Sequence, residues 1–394
     1  MEYGGTPFFM PKNELIITKA IGYFNPLFMA AFVFLTSFVS KYKYFDMKNL
    51  LKTMIMSATF ALGVTNIQAQ SPDSFNHMIS AAIKAPSGHN TQPWKFKLGN
   101  DCIDVMPDFT KSLSAVDGTN RELYISLGTA TENLCIAASH EGYTAKTEIM
   151  QNNEKAYYVH VSFAKSSTAN TSPLYDAIYK RQTNRSVYNK SIIGPDTITL
   201  LKQIVPEQGT HIYMFPKGST TFNDLATKVY KGNELQMTDP LFKKELLEWI
   251  RFNKSQAKKE GNGLTSATMG APNVPEFIGK PIVKAFLNPK AQNKGDMKKI
   301  ESSSHLVLIT STEQDPKAWI SVGRTLERFI LNTTNLGIAN AYMNQPCEIK
   351  ELSNKIKNEL PAINQEYPNL LLRVGYSKPM PYSPRQNIDS FIIK

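Results

Sequence analysis

The sequence predicts an α+β protein in which two related halves follow an N-terminal routing segment. Segments with helical spacing of apolar residues alternate with short segments typical of strands. Several residues of one long helix recur at a constant offset in a second long helix, and a polar, turn-rich linker at 165–172 separates the two copies. A sheet flanked by helices, with both halves sharing one core, accounts for these three observations.

Composition excludes several classes of protein. The 394 residues are 42% hydrophobic and 20% charged, within the globular range, and the net charge is +11. This surplus attracts anions such as phosphates, but no basic patch interleaved with aromatics indicates a nucleic-acid partner. The three cysteines form no Cys-x-x-Cys pair and the six histidines no His-Glu-x-x-His motif, so the sequence predicts neither a disulfide framework nor a metal site.

The first 69 residues are expected to direct export. Residues 47–69 have a basic beginning, a short apolar centre and small residues near Ala69, the order of a signal peptide, which makes residues 1–46 an upstream extension. Alternatively, residues 20–40 form a membrane segment, and the lysine-rich loop after it stays in the cytoplasm. Both alternatives export the folded part, either periplasmic or membrane-anchored and facing the periplasm.

The first half is assigned to residues 71–164. Its predicted elements are a helix that Ser71 caps and that ends before Pro86, a strand at 94–98, a long helix that a capping box at 119–122 opens and that runs to about 141, and a strand at 157–163.

The second half is assigned to residues 173–394. Its predicted elements are a short helix near 173–180, a helical region around 239–259, a glycine-rich loop at 261–275, a strand at 305–311, a helix at 319–335 and a strand at 370–374. Residues 239–275 are interpreted as an inserted lid.

One internal repeat is visible at an offset of 195 residues. Ser126-Leu127-Gly128, Glu132 and Gly142 match Ser321-Val322-Gly323, Glu327 and Gly337. Both copies are long helices that end at a glycine, where a left-handed C-cap is easiest. The identities could arise by chance between amphipathic helices, but the constant offset on both sides of a linker favours duplication.

Three short motifs carry the chemistry. The loop Ala85–Trp94, with sequence APSGHNTQPW, combines small residues and amides where the backbone can approach a flat ligand. Arg181-Gln182-Thr183-Asn184-Arg185 places two guanidinium groups around a hydroxyl, which suits a phosphate and a sugar chain. Ser383-Pro384-Arg385 offers another anion-binding arginine. Taken singly, each motif also has a structural explanation, as a tight connection or a charged helix end.

Taken together, these motifs resemble the nitroreductase superfamily, specifically its tandem, Acg-like branch, over residues 71–394. The loop Ala85–Trp94 is the most specific of them, and Met343-Asn344-Gln345-Pro346 resembles the family's flavin-facing segment. The resemblance implies a nitroreductase-like fold and FMN as the cofactor. It also implies that the flavin supplies the redox chemistry, so no catalytic side chain is assigned.

The resemblance implies a role for each residue that matches the motifs. Arg181 and Arg385 would bind the FMN phosphate, and Thr183 would contact the ribityl chain. Arg185 would lie near the N1/O2 edge of the flavin, and the backbone near Gln345 would face N5. The residues that would line the ring or ribityl chain from the other half are Pro86, Ser87, Gly88, Asn90 and Gln92.

The chain departs from the pattern of a homodimeric nitroreductase in a reciprocal way. No Arg-x-Ser/Thr-x-Arg precedes the first helix of the first half, and no Pro-Ser-x-x-Asn-x-Gln-Pro-Trp follows Arg185 in the second. Each half keeps what the other lost, so the chain can assemble one site as an intramolecular pseudo-dimer, and the site requires no oligomer.

The expected function is FMN-dependent oxidoreduction, with electrons passing from reduced flavin to a small organic acceptor. The sequence does not identify the electron donor, and an exported protein would lack ready access to NAD(P)H. The alternatives are a flavin-sequestering protein, in which residues 239–275 close over the ring, and a structural relic that binds no flavin.

Overall fold

The first half forms an antiparallel sheet with one long helix. In this computed structural model, which describes residues 72–166 and 172–393, its elements are α1 (Pro72–Ala82), β1 (Trp94–Leu98), β2 (Cys102–Pro107), α2 (Arg121–His140), β3 (Tyr143–Gln151) and β4 (Tyr157–Lys165). The strand order is β1-β2-β4-β3. The expected extension, signal peptide, Ser71 cap and most of the linker lie outside the described residues.

The second half repeats that order. It begins with α3 (Tyr175–Lys180) and α4 (Pro195–Lys202), and its sheet has the order β5-β8-β10-β9. The strands are β5 (Thr210–Pro216), β8 (His305–Ser311), β9 (Ala339–Tyr342) and β10 (Tyr367–Gly375), with α11 (Pro316–Asn335) after β8. In both halves the long helix therefore connects the second strand to the third, and all neighbouring strands of the four are antiparallel.

An insertion separates β5 from β8. It comprises α5 (Thr220–Thr238), α6 (Pro240–Glu248), β6 (Ile250–Arg251), α7 (Lys254–Glu260), β7 (Leu264–Thr265), α8 (Ser266–Met269), α9 (Glu276–Phe286) and α10 (Pro289–Glu301). The expectation of one helical region over 239–259 is wrong at its centre, because β6 interrupts it and pairs in parallel with β7. The glycine-rich segment after residue 260 is correspondingly a short strand and a helical turn rather than an open loop.

The C-terminal segment returns to the first half. After β9 come α12 (Gln345–Glu348) and α13 (Lys350–Glu359), and after β10 the chain reaches β11 (Ile392–Ile393). This last strand pairs in parallel with β1, with Phe96 opposite Ile392, and it adds a fifth strand to the first sheet. Phe391 is buried, and its ring centroid lies 6.4 Å from that of Trp94.

The helices α2 and α11 cross at two glycines. A Cβ on Gly128 would lie 2.0 Å from the carbonyl oxygen of Ile320, and a Cβ on Gly323 would lie 2.0 Å from that of Ile125. These contacts are related by the 195-residue offset of the repeat. One large hydrophobic core surrounds the crossing and includes side chains from both halves, such as Leu127 and Phe329.

The ends of the long helices differ in how well the sequence predicts them. Gly142 and Gly337 follow the two helices with φ of +81° and +68°, as the left-handed caps require. The capping box at 119–122 is wrong: Asn120 is the N-cap residue, has φ of +59° and makes no side-chain cap. Asp117 instead accepts a hydrogen bond from the amide of Leu123 at 3.1 Å.

Within the described residues, no helix has the length and apolar character needed to cross a membrane.

Candidate functional site

A cavity of about 380 Å³ lies between the two halves. Its volume falls in the range of small-molecule and cofactor sites. The lining includes eight of the ten residues that the sequence motifs single out: Pro86, Ser87, Gly88, Asn90, Arg181, Thr183, Arg185 and Arg385. The site therefore combines the loop of the first half with the arginine motif and C-terminal segment of the second.

The loop between α1 and β1 has an unusual backbone. His89, Asn90 and Gln92 all have positive φ, between +47° and +58°. Non-glycine residues in this conformation are uncommon, and they cluster at functional sites because the surrounding structure must enforce them. Gly88 is held close to α2, since a Cβ there would lie 3.0 Å from Oε2 of Glu122. The missing side chain of Gly88 therefore lets the loop lie close to α2.

The arginine motif follows α3 and runs beside β9. Thr183 forms a parallel bridge with Asn340, and the amide of Asn184 donates to the carbonyl of Asn340 at 2.8 Å. This backbone pairing fixes the segment and leaves Arg181, Thr183 and Arg185 at the cavity.

Arg181 has hydrogen-bonding capacity that the protein does not use. Its Nη2 donates to the carbonyl of Lys84 at 3.1 Å, but its buried Nε and Nη1 have no hydrogen-bond partner within residues 72–166 and 172–393. Nε lies 3.8 Å from Oε1 of Glu327, which is fully buried. Burial raises the pKa of Glu327 to about 7, although the charge of Arg181 opposes this shift. A buried guanidinium with two unsatisfied donors fits an anionic ligand.

Arg385 differs from Arg181, because each of its nitrogens already donates to the protein. Nε donates to the carbonyl of Ile83 at 2.7 Å, Nη1 to Oδ1 of Asn90 at 2.9 Å, and Nη2 to the carbonyls of Lys84 and Ala85 at 2.9 Å. These bonds fasten the C-terminal segment to the loop. Burial, together with the charge of Arg181, lowers the pKa of Arg385 to about 9. A phosphate beside the two guanidinium groups would raise the pKa of Arg385 again.

Two of the singled-out residues are absent from the cavity lining. The amide of Gln92 donates to the carbonyl of Gly261 at 2.9 Å and accepts from the backbone of Gln386 at 3.1 Å, so it connects the loop to the insertion and the C-terminal segment. Gln345 donates to Oδ1 of Asn233 at 2.9 Å. Its neighbour Asn344 does line the cavity.

The cavity lining also contains an acidic group that the sequence motifs do not indicate. Glu122 and Glu348 both line it, and Asn344 donates to Glu122 at 3.2 Å. Burial, reinforced by the nearby Glu122, raises the pKa of Glu348 well above its usual value. The buried Asp117 nearby has a pKa raised to about 7 for the same two reasons. Glu122 was assigned to the capping box, and nothing in the sequence around Glu348 signals that the two carboxyl groups meet.

The insertion is docked against the first half. Leu264 lines the cavity, and the Asn90 side chain donates to the carbonyl of Gly263 at 3.3 Å. At a second point, Glu245 accepts hydrogen bonds from the amides of Ala115 and Val116 at 2.9 and 3.0 Å. Residues 239–275 thus provide part of the cavity wall through Leu264.

The opposite side of the helix crossing holds an ion-pair network. By the 195-residue offset, Glu132 in α2 corresponds to Glu327 in α11. Thr129, which lines the cavity, corresponds to Arg324. Glu132 pairs with Arg324 at 2.9 Å and with Arg328 at 2.6 Å, and Glu207 pairs with both arginines. Side chains of the protein therefore occupy the counterpart of the Arg181–Glu327 region.

Comparison with curated proteins identifies relatives that align over most of the chain. “Putative NAD(P)H nitroreductase Rv3131” of Mycobacterium tuberculosis is 21% identical over 332 residues, which cover 80% of this chain and 90% of that protein. “Putative NAD(P)H nitroreductase acg” of the same organism is 23% identical over 327 residues, covering 80% and 94%. The chain is similar to these nitroreductases over most of its length. The expected α+β, nitroreductase-like fold is confirmed.

No family model matches the chain. Among solved structures, the FMN-dependent nitroreductase NfnB from Mycobacterium smegmatis, in complex with NADPH, is 10% identical and has a TM-score of 0.37. The match covers 55% of this chain and 96% of NfnB. An FMN-bound nitroreductase from Bacteroides fragilis NCTC 9343 is 15% identical with a TM-score of 0.31, covering 53% and 90%.

Proposed function

We propose that this protein is an FMN-dependent oxidoreductase that passes electrons from reduced flavin to a small organic acceptor. The observation that carries the proposal is the pair of buried donors of Arg181, Nε and Nη1, that find no acceptor among the described residues, at a cavity of cofactor size. The names of the aligned relatives and the retained loop Ala85–Trp94 support the same conclusion. When bound, FMN supplies the electron-transfer chemistry, and the protein supplies position and charge.

The residues around the cavity divide into groups with different tasks. Arg181 would hold the phosphate, with Arg385 and Lys84 adding positive charge nearby. Thr183 would contact the ribityl chain, and the backbone of the loop at 86–90 would lie against the cofactor. Arg185 would stabilise negative charge that develops on the reduced ring.

Glu348 would contribute a proton rather than a charge. Burial, reinforced by the nearby Glu122, raises the pKa of Glu348 well above its usual value and so favours the protonated carboxyl group. Reduction of an organic acceptor by two electrons also requires protons, and Glu348 would supply one from the cavity wall.

The docked insertion favours a second candidate function, flavin sequestration. Leu264 and the contacts between Gly263 and Asn90 close part of the cavity from the insertion side. A wall that stays closed would protect bound flavin from donors and acceptors, and turnover would then be low.

Stopped-flow kinetics separates the two functions. The purified protein is loaded with FMN, reduced with dithionite or NADPH, and reoxidised with a quinone or a nitroaromatic compound. Rapid cycles in the unmodified protein support the oxidoreductase and reject sequestration. Slow reduction that Leu264→Ala accelerates supports sequestration, with Leu241→Ala, an exposed site in the same insertion, as the matched control. Failure to bind FMN would reject both.

A further inference from the structure

Helix α9 exposes a row of large apolar side chains. Phe277 is 78% exposed, Phe286 64%, Ile282 50% and Ile278 42%. Large exposed apolar patches on soluble proteins usually mark an interaction surface. This helix belongs to the insertion and contributes no residue to the cavity lining.

Helix α9 packs on the rest of the protein near Gly279, and its apolar side faces outward. At 3.6 residues per turn, the four exposed residues and Pro281 occupy about half of the helix circumference. Gly279 lies outside that arc and is buried, and a Cβ there would lie 2.7 Å from the ring of Phe252. An amphipathic helix that packed its apolar side on the protein would have the opposite orientation. The exposed side is therefore available to something outside the described residues.

Positive charge lies beside the apolar arc. Lys280 and Lys284 lie along one edge of it and both are exposed, and Lys280 pairs with Glu276 at 3.4 Å. Residues 254–301 contain nine lysines and only four acidic residues. A second copy of this surface would bring like charges together, whereas a layer of anionic groups around an apolar interior would complement it.

We propose that the apolar face of α9, defined by Phe277, Ile278, Ile282 and Phe286, binds the surface of an anionic lipid bilayer. Eleven residues of helix extend about 16 Å, roughly half of the hydrocarbon thickness, so the helix lies along the interface and does not cross it. Its apolar side enters the boundary between headgroups and acyl chains, and its lysines contact lipid phosphates.

The test uses a tryptophan placed on the face of the full chain. Phe277→Trp is mixed with vesicles of brominated phosphatidylcholine containing one quarter phosphatidylglycerol, and quenching is compared with that of the parent protein. Val205→Trp is the matched control, because Val205 is 74% exposed outside this helix. The Val205→Trp control also measures any quenching that would arise if the N-terminal segment, and not α9, held the protein at the vesicle.

We expect at least twofold quenching of the tryptophan at position 277 and little at position 205. Lys280→Gln with Lys284→Gln, or 0.5 M salt, should reduce the effect severalfold. Equal quenching at the two positions, or none at 277, would overturn the proposal. A blue-shifted emission of Phe277→Trp without vesicles would also overturn it, because the face would then already be covered. A blue shift that depends on protein concentration would assign the face to a second copy of the protein. A blue shift that does not depend on concentration would assign it to a segment of the same chain.

Discussion

Gly128 and Gly323 face each other across the crossing of α2 and α11, and each occupies a position where a Cβ would collide with the opposite helix. The Cβ of either residue would lie 2.9 Å from the Cα of the other, as well as 2.0 Å from a carbonyl oxygen. The relationship is reciprocal, and the two residues are 195 positions apart, the offset of the sequence repeat. The contact thus lies on a local two-fold axis between the halves.

Gly128→Ala should destabilise the protein by about 2–3 kcal/mol or more, because the helices must separate to admit the methyl group. Urea unfolding measures the effect. The matched control is Gly295→Ala within α10, where a Cβ would meet nothing within 4 Å. There alanine should stabilise by about 0.5–1 kcal/mol, since it restricts the unfolded chain. Equal unfolding midpoints for Gly128→Ala and the parent would contradict the close crossing.

Arg181→Ala should weaken FMN binding by about 2 kcal/mol, or roughly thirtyfold, because a charge-assisted contact to phosphate is lost. Riboflavin, which lacks the phosphate, should bind the variant and the parent almost equally. Arg385→Ala should lower both FMN affinity and the free energy of unfolding, since its guanidinium also joins the C-terminal segment to the loop. Quenching of flavin fluorescence gives the affinities. A similar loss for riboflavin and FMN would reject the phosphate assignment.

FMN affinity should fall as pH rises above about 9. Burial and Arg181 lower the pKa of Arg385 to about 9 in the free protein, and a bound phosphate would raise it again. Binding then takes up a proton above pH 9, and the dissociation constant should increase by about tenfold per pH unit there. Titrations between pH 7 and 10 test this, with riboflavin as the control for ionisation of the ring. Parallel curves for the two flavins would contradict it.

Arg185→Ala should lower the reduction potential of bound flavin. A cation near the N1 edge stabilises the reduced anion, and each 1.4 kcal/mol lost corresponds to about 30 mV in a two-electron couple. Arg185→Lys should recover part of the potential, and Arg181→Ala should change affinity more than potential. Equilibration with a redox dye provides the measurement. An unchanged reduction potential in Arg185→Ala would show that this residue does not lie near the flavin ring.

FMN should saturate the protein at one molecule per chain. Arg324, Arg328, Glu132 and Glu207 occupy the counterpart of the Arg181–Glu327 region, and both arginines are already paired with carboxylates there. Absorbance of bound flavin against protein concentration gives the ratio. A ratio of two would show that a second phosphate site exists.

Local patterns predicted several elements well. The strands at 94–98 and 305–311 have the predicted bounds, because alternation or an unbroken apolar run identifies each strand. The left-handed glycines after α2 and α11 were also predictable, since few other residues adopt that conformation readily. Eight of the ten singled-out residues line one cavity, because short motifs retain the chemistry of a site even where overall identity is low.

Features that depend on distant contacts were not predictable. The strand β11 has only two residues, and its partner is nearly 300 positions earlier. Glu122 and Glu348 meet only because α2 and α12 are brought to the same cavity, and no local pattern encodes that approach. Gln92 has the residue type expected of a ligand contact, but its hydrogen bonds are satisfied by Gly261 and Gln386.

The return of the C-terminus to β1 has a consequence for the order of assembly. Phe96 cannot meet Ile392, and Trp94 cannot meet Phe391, until the last residues have left the ribosome. Contacts between such distant positions carry a high loop-closure entropy and slow the search for the native state. A growing chain therefore cannot make these contacts, or bring Arg385 to the loop after α1, until its C-terminal segment has been synthesised.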